Sequence, residues 1–211
     1  NLKYKSSTNR SPTKFTEGKK GDDLTLRLEL RLLADIGLLG KPNAGKSSLV
    51  RAVSSAKPKV ADYAFTTLHP SLGVVDYSSN SSFVISDIPG LIAGASKGVG
   101  LGIQFLKHLA RTRVIVQIVD IYDKSLEEII GEIEELNVEI KDYDSSLVEK
   151  VKWLALNKVD LIADQDLEGL VHELKVKYEG IFNIYCISAA KKIGTQQLMR
   201  EIGTYIESFD E

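Results

Sequence analysis

The 211 residues are 43% hydrophobic and 27% charged, globular proportions that exclude wholesale disorder and suit one domain of ordinary size plus an appendage. A formal net charge of -2 gives no global pull toward nucleic acid or membrane, so any such contact must come from a local patch. No run approaches the roughly 20 apolar residues of a membrane span, and no signal-peptide core opens the chain.

The lone cysteine, Cys186, excludes a disulfide within the chain. It lies in an apolar run and reads as a buried thiol in a reducing cytosol, which predicts a cytoplasmic location. A start at Asn1 rather than Met is expected of a piece of something longer.

Residues 1–20 are polar and basic, with Lys3, Lys5, Arg10, Lys14, Lys19 and Lys20 against the single acid Glu17. Such a segment is a solvated tail or, alternatively, a site for RNA phosphates. Leu24, Leu26, Leu28, Leu30 and Leu32 then alternate with Thr25, Arg27, Glu29 and Arg31, and period two predicts a half-buried strand. It runs almost directly into the next strand, so residues 1–33 read as the end of a separate β-rich domain and 34–211 as a second domain.

That next strand, Ile36-Gly37-Leu38-Leu39, is followed by Gly40-Lys41-Pro42-Asn43-Ala44-Gly45-Lys46-Ser47, and a helical pattern opens at Ser48. This is G-x-x-x-x-G-K-[ST] in the strand-to-helix context that it requires. The glycines let backbone N–H groups approach phosphate oxygens, and the helix adds its positive end. Lys46 would neutralise the β and γ phosphates, and the Ser47 hydroxyl would ligate Mg²⁺.

Lys57 to Pro70 has no steady period and reads as a long loop. Leu72–Tyr77 and Ser82–Asp87 flank a Ser-Ser-Asn-Ser turn, predicting an antiparallel hairpin. Asp87-Ile88-Pro89-Gly90 and a glycine-rich loop follow. From there a helix over 103–111, a strand over 114–120, an acidic amphipathic helix over 125–141, a strand over 151–156, a helix over 164–178, a strand over 181–187 and a helix over 195–207 alternate. That order predicts right-handed crossovers and a mainly parallel, six-stranded sheet with helices on both faces. Ligands in such sheets sit beyond the carboxyl ends of the strands, where every motif named here falls.

Asn157-Lys158-Val159-Asp160 matches N-K-x-D at one such end. The Asp160 carboxylate suits the guanine N1–H and exocyclic amine, whereas adenine presents the wrong pattern and would leave the carboxylate unpaired. Asn157 would hold the loop, and the Lys158 stem would lie along the base. Ser188-Ala189-Ala190 has the form of a loop whose backbone supports the guanine O6.

Asp87 would hold Mg²⁺ through water, and the Gly90 N–H would sense the γ phosphate. Thr67, in Phe65-Thr66-Thr67-Leu68-His69, is the candidate to close directly on the metal beside Ser47; Thr66 is its rival. Where many G proteins carry a Gln after D-x-x-G, this chain has Leu91, which cannot orient water. Turnover should be slow unless a partner or a monovalent cation positions the nucleophile. Asn43 is a candidate K⁺ ligand or, equally, a loop-stabilising Asn turn. His69, His108 and His172 lack metal-ligand spacing. Lys107, His108, Arg111 and Arg113 read as a solvated helix end or an RNA contact, and Trp153 as core.

Together with Lys57–Tyr63, Phe65–Leu68, Asp87–Ile92, Gly98–Gly102 and Arg111–Arg113, the phosphate loop makes the chain similar to the Obg family of bacterial GTPases over about 34–207. Residues 1–33 resemble the end of that family's glycine-rich N-terminal domain. The resemblance implies a Ras-like P-loop NTPase fold and GTP hydrolysis to GDP. It also implies association with the large (50S) ribosomal subunit and its rRNA during late assembly, and a response to guanosine tetraphosphate. Ala64 stands where the family commonly has proline. A monomer is expected. The rival readings are a P-loop ATPase or kinase and a nucleotide-stabilised scaffold with little turnover.

Overall fold

The computed structural model describes residues 4–11, 13, 17–25, 34–56, 59–60, 71–87 and 106–209. The chain forms two compact units, Asn1–Leu30 and Arg31–Glu211. In the first, Ser6 and Asn9 exchange backbone hydrogen bonds of 3.1 and 3.2 Å across a small turn. Most of the strand expected over 24–32 lies outside the described residues.

The second unit is an α/β layer structure. Strands β1 (Ile36–Leu39), β2 (Lys59–Val60), β3 (Ser71–Asp76), β4 (Ser82–Asp87), β5 (Val114–Asp120), β6 (Val151–Asn157) and β7 (Asn183–Ile187) make one sheet in the order β2-β3-β4-β1-β5-β6-β7. β4, β1, β5, β6 and β7 run parallel, while β3 and β2 are antiparallel additions. The six strands expected from the pattern are present. The seventh, β2, is two residues long and falls within the stretch read as loop; a pairing that short leaves no periodicity to read.

β1 is buried throughout and β5 nearly so, as strands covered on both faces must be. On one face α1 (Lys46–Val53) and α4 (Thr195–Glu207) pack with Ile36, Leu38, Val116, Ile118 and Trp153. On the other lie a helical turn at 106–110, α2 (Leu126–Tyr143) and α3 (Asp164–Lys177), packed against Leu39, Ile115, Val119 and Leu156. Ser125 begins α2 with a capping box: Ser125 N–H donates to Glu128 at 2.7 Å, and Glu128 N–H donates to the Ser125 hydroxyl at 3.3 Å.

Two polar side chains set where elements begin and end. The Asp35 carboxylate accepts the Val84 N–H at 2.9 Å, and its carbonyl accepts those of Arg113 and Val114 at 3.0 Å, so one residue aligns the starts of β1 and β5 with β4. The Lys150 ammonium donates to the carbonyls of Ala110 and Thr112 at 2.9 and 2.8 Å. It satisfies groups that the ending helical turn leaves open.

Two expectations change. Cys186 is half-buried rather than buried, because β7 is the last strand of the sheet and α3 covers it loosely. A cavity of about 350 Å³ remains there, lined by Leu167, Glu168, Val171, His172, Lys175 and Cys186. Burial pushes the Cys186 thiol pKa up, with Lys175 opposing it. The basic cluster is also no simple solvated end. Only Lys107 is exposed, Arg113 lies 3.7 Å from Asp35, and burial followed by the Arg111 charge holds the His108 pKa below its ordinary value.

Trp153 is core, 3% exposed and edge-on to Tyr205 at 4.9 Å between ring centroids. Trp153→Ala is expected to cost about 3–5 kcal/mol of unfolding free energy, measured by urea denaturation.

Candidate nucleotide site

The site begins where β1 stops. A side chain at Gly40 would strike the Ile118 carbonyl of β5, so only glycine lets the loop leave the sheet this closely. Asn43 and Gly45 both take positive φ, 63° and 102°, and curl residues 41–45 into a compact turn closed by Ala44 N–H donating to the Lys41 carbonyl at 3.2 Å. A Cβ on Gly45 would collide with the Asn157 amide. Lys46, the first residue of α1, is 7% exposed. Its ammonium donates to the carbonyls of Gly40 at 2.8 Å and Lys41 at 2.9 Å. Burial holds its pKa below the ordinary lysine value, opposed by the negative charges of Asp87 and Glu132.

Asp87 ends β4 beside this loop. It is 5% exposed, one carboxylate oxygen accepts the Ser47 hydroxyl, and the other is buried without a partner among the described residues. A hydroxyl and a carboxylate brought together with an unsatisfied oxygen form the hard donor set that suits Mg²⁺. Among the described residues no group of three or more His, Cys, Asp or Glu could hold a metal, and Mg²⁺ commonly takes one or two protein carboxylates with water completing its shell.

The base-reading motif follows β6. Asn157, 2% exposed, donates from Nδ2 to the Ala44 carbonyl at 2.7 Å and accepts the Ala189 N–H on Oδ1 at 3.0 Å. One amide therefore ties the phosphate loop to the loop at 188–190. Ser188 and Ile193 exchange backbone bonds of 3.0 and 3.1 Å across that second loop, and the Ser188 hydroxyl accepts the Lys191 N–H at 3.0 Å. Ala190 is exposed. Lys158 takes φ 71° before a single 3-10 turn, Val159–Leu161. Asp160 in that turn is partly exposed, and its carboxylate has no hydrogen bond or ion pair among the described residues.

The structure thus brings Gly40, Lys41, Pro42, Asn43, Ala44, Gly45, Lys46, Ser47, Ser48, Asp87, Asn157, Lys158, Val159, Asp160, Ser188, Ala189 and Ala190 to one end of the parallel sheet. Phe65, Thr66, Thr67, Leu68, His69, Ile88, Pro89 and Gly90 lie outside the described residues. Asn43 is exposed and holds a left-handed conformation, with φ 63°.

One site residue escaped the sequence reading. Asp120, at the end of β5, accepts the Lys158 ammonium on one oxygen and the Tyr122 N–H at 3.1 Å on the other. Its position after an apolar strand was the only signal, since nothing local ties it to a lysine far along the chain.

This arrangement of sheet, phosphate loop and base-reading loop defines a P-loop GTPase domain. The sequence profile of the 50S ribosome-binding GTPases matches residues 35–158. The chain belongs to that family. Solved structures share the fold. Era of Aquifex aeolicus bound to GDP and aluminium fluoride is 21% identical, with a TM-score of 0.60 over 82% of this chain and 56% of that one. The G domain of the T. maritima FeoB iron transporter is also 21% identical, with a TM-score of 0.59 over 81% of this chain and 96% of that one. The cytosolic domain of L. pneumophila FeoB is 22% identical, with a TM-score of 0.59 over 79% of this chain and 62% of that one. The chain thus spans little more than half of Era's length and under two thirds of the L. pneumophila FeoB domain. Among the described residues, no helix is long and apolar enough to cross a membrane.

Asp120→Ala would free Lys158, whose stem is expected to lie along the base. GDP affinity is expected to fall by about tenfold to a hundredfold, the scale of one charge-assisted hydrogen bond, by titration calorimetry.

Proposed function

We propose that the protein hydrolyses GTP to GDP and phosphate with Mg²⁺ and serves as a switch on the large ribosomal subunit. The observation that carries the GTPase reading is the Asn157 amide, bonded to Ala44 on one side and Ala189 on the other. It ties the phosphate loop to the loops that would read the base, which supports one nucleotide spanning both. Asp160, three residues on and without a partner among the described residues, is the group that would select guanine, because adenine would leave its charge unmatched.

In this reading the loop amides and Lys46 hold the β and γ phosphates. Water attacks the γ phosphorus, the bond to the bridging oxygen breaks, and the negative charge that builds on that oxygen is met by Lys46 and the loop N–H groups. Ser47 and Asp87 would hold Mg²⁺, directly and through water respectively, with Thr67 or Thr66 as a further ligand. When bound, the ion neutralises phosphate charge and fixes its geometry. The Gly90 N–H would sense the γ phosphate. Leu91 supplies no hydrogen bond to the water, which supports slow intrinsic turnover and a role for K⁺. The exposed Asn43 side chain is the candidate ligand for that cation.

The ribosomal role is supported by the family to which residues 35–158 belong and by the motifs similar to Obg proteins. Action in assembly of the 50S subunit, contact with its rRNA, response to guanosine tetraphosphate, a cytoplasmic location, a monomeric state and a domain boundary near residue 33 belong to this same proposal.

Asp160→Ala is expected to weaken GDP binding about a hundredfold or more while leaving ADP binding as weak as before, in a calorimetric nucleotide panel. Preference of the unaltered protein for ADP would overturn the reading. Multiple-turnover phosphate release should be faster in K⁺ than in Na⁺; equal rates would remove Asn43 from its cation role.

A further inference from the structure

Lys41, second in the phosphate loop, makes a contact that the reading above does not use. Its ammonium meets Glu135 Oε2 of α2 at 2.6 Å, the two side chains being 42% and 49% exposed. Through its main chain the same residue carries the active lysine: its carbonyl accepts the Lys46 ammonium at 2.9 Å and the Ala44 N–H at 3.2 Å. Any displacement of Lys41 is therefore felt at Lys46 and at the loop's own closure.

The partner helix is a fixed reference. Ile129 and Ile133 of α2 are wholly buried, and Gln117 of β5 donates from Nε2 to the Ile133 carbonyl at 3.3 Å. Three residues before Glu135, on the same face of α2, stands Glu132, whose side chain is 4% exposed. One of its oxygens takes the Lys124 ammonium at 2.6 Å, and the other is buried without a partner among the described residues. The Glu135 hydrogen bond holds the Lys41 pKa above the ordinary lysine value, burial opposes it, and the charges of Glu135 and Glu132 add to it. Glu132 also acts on Lys46 in the same direction. This face of α2 thus presents negative charge to the two lysines of the phosphate loop.

We propose that Lys41 is a positioning residue: clamped by Glu135, it fixes the loop carbonyls that orient Lys46, so that α2 sets how firmly a phosphate group is held. The inference rests on the loop being a guanine-nucleotide site. A half-exposed ion pair contributes little to folding, which allows its effect on the loop to be separated from stability.

The test uses the charge reversals Lys41→Glu and Glu135→Lys, singly and together, read by the dissociation rate of a fluorescent GDP analogue and by Tm without nucleotide. Each single reversal should raise the dissociation rate about three- to fivefold, with Tm unchanged within about 2 °C. The double reversal should return the rate to within about twofold of the original. Singles without effect would overturn the proposal. So would a double variant whose rate is the product of the two singles, because a purely local field of Lys41 on the phosphates cannot be restored from position 135. If the unaltered protein fails to bind the analogue, the nucleotide reading itself falls, and this inference with it.

Discussion

A single buried amide holds the site together. Asn157 uses its donor on Ala44 and its acceptor on Ala189, so three loops that leave three different strands are fixed by one side chain. An amide carries both functions on one planar carbon, an N–H₂ donor and a C=O acceptor. The backbone around it is shaped to admit the contact, for Gly45 has no side chain where the Asn157 Nδ2 lies. Because the group is 2% exposed, breaking either bond would strand a buried polar atom, and the loops are correspondingly hard to separate.

Around that amide the lysines of the site are held by oxygens on neighbouring elements. Lys46 rests on two loop carbonyls, Lys158 on Asp120 of the adjacent strand, and Lys41 on α2. Each pairing fixes a long, flexible cation near where phosphate or base would lie, which lowers the ordering cost of binding. The carboxylates are treated differently. Asp160 has no partner among the described residues, and Asp87 keeps one buried oxygen unsatisfied. These two acids thus keep an oxygen open among the described residues for a donor or a metal, whereas Asp120 is spent on Lys158 and the Tyr122 N–H.

Local pattern made most of this legible. β1 and β5 read as continuous apolar runs because helices cover both faces, and α4 matches its expected span of 195–207 because its stripe is strongly one-sided. The phosphate loop and Asn157–Asp160 were readable because each motif sits inside one short segment. What escaped depends on contacts between distant parts of the chain. Asp120 shows its role only once β5 lies beside β6, in register with Asn157. The Lys41–Glu135 pair joins residues separated by α1 and the strands β2, β3, β4 and β5. Cys186 looked buried because its neighbours are apolar, yet nothing in a lone strand says that it will be outermost in a sheet.

The outermost strands carry a consequence of their own. The sheet ends in β2, two residues long, and β7, five residues long with Asn183 exposed. Short margins offer few unpaired amides and carbonyls on which a stray extended peptide can grow. The six-residue β3, which would be the more adhesive rim, is partly capped by β2. The fold therefore carries its own brake on aggregation at both flanks.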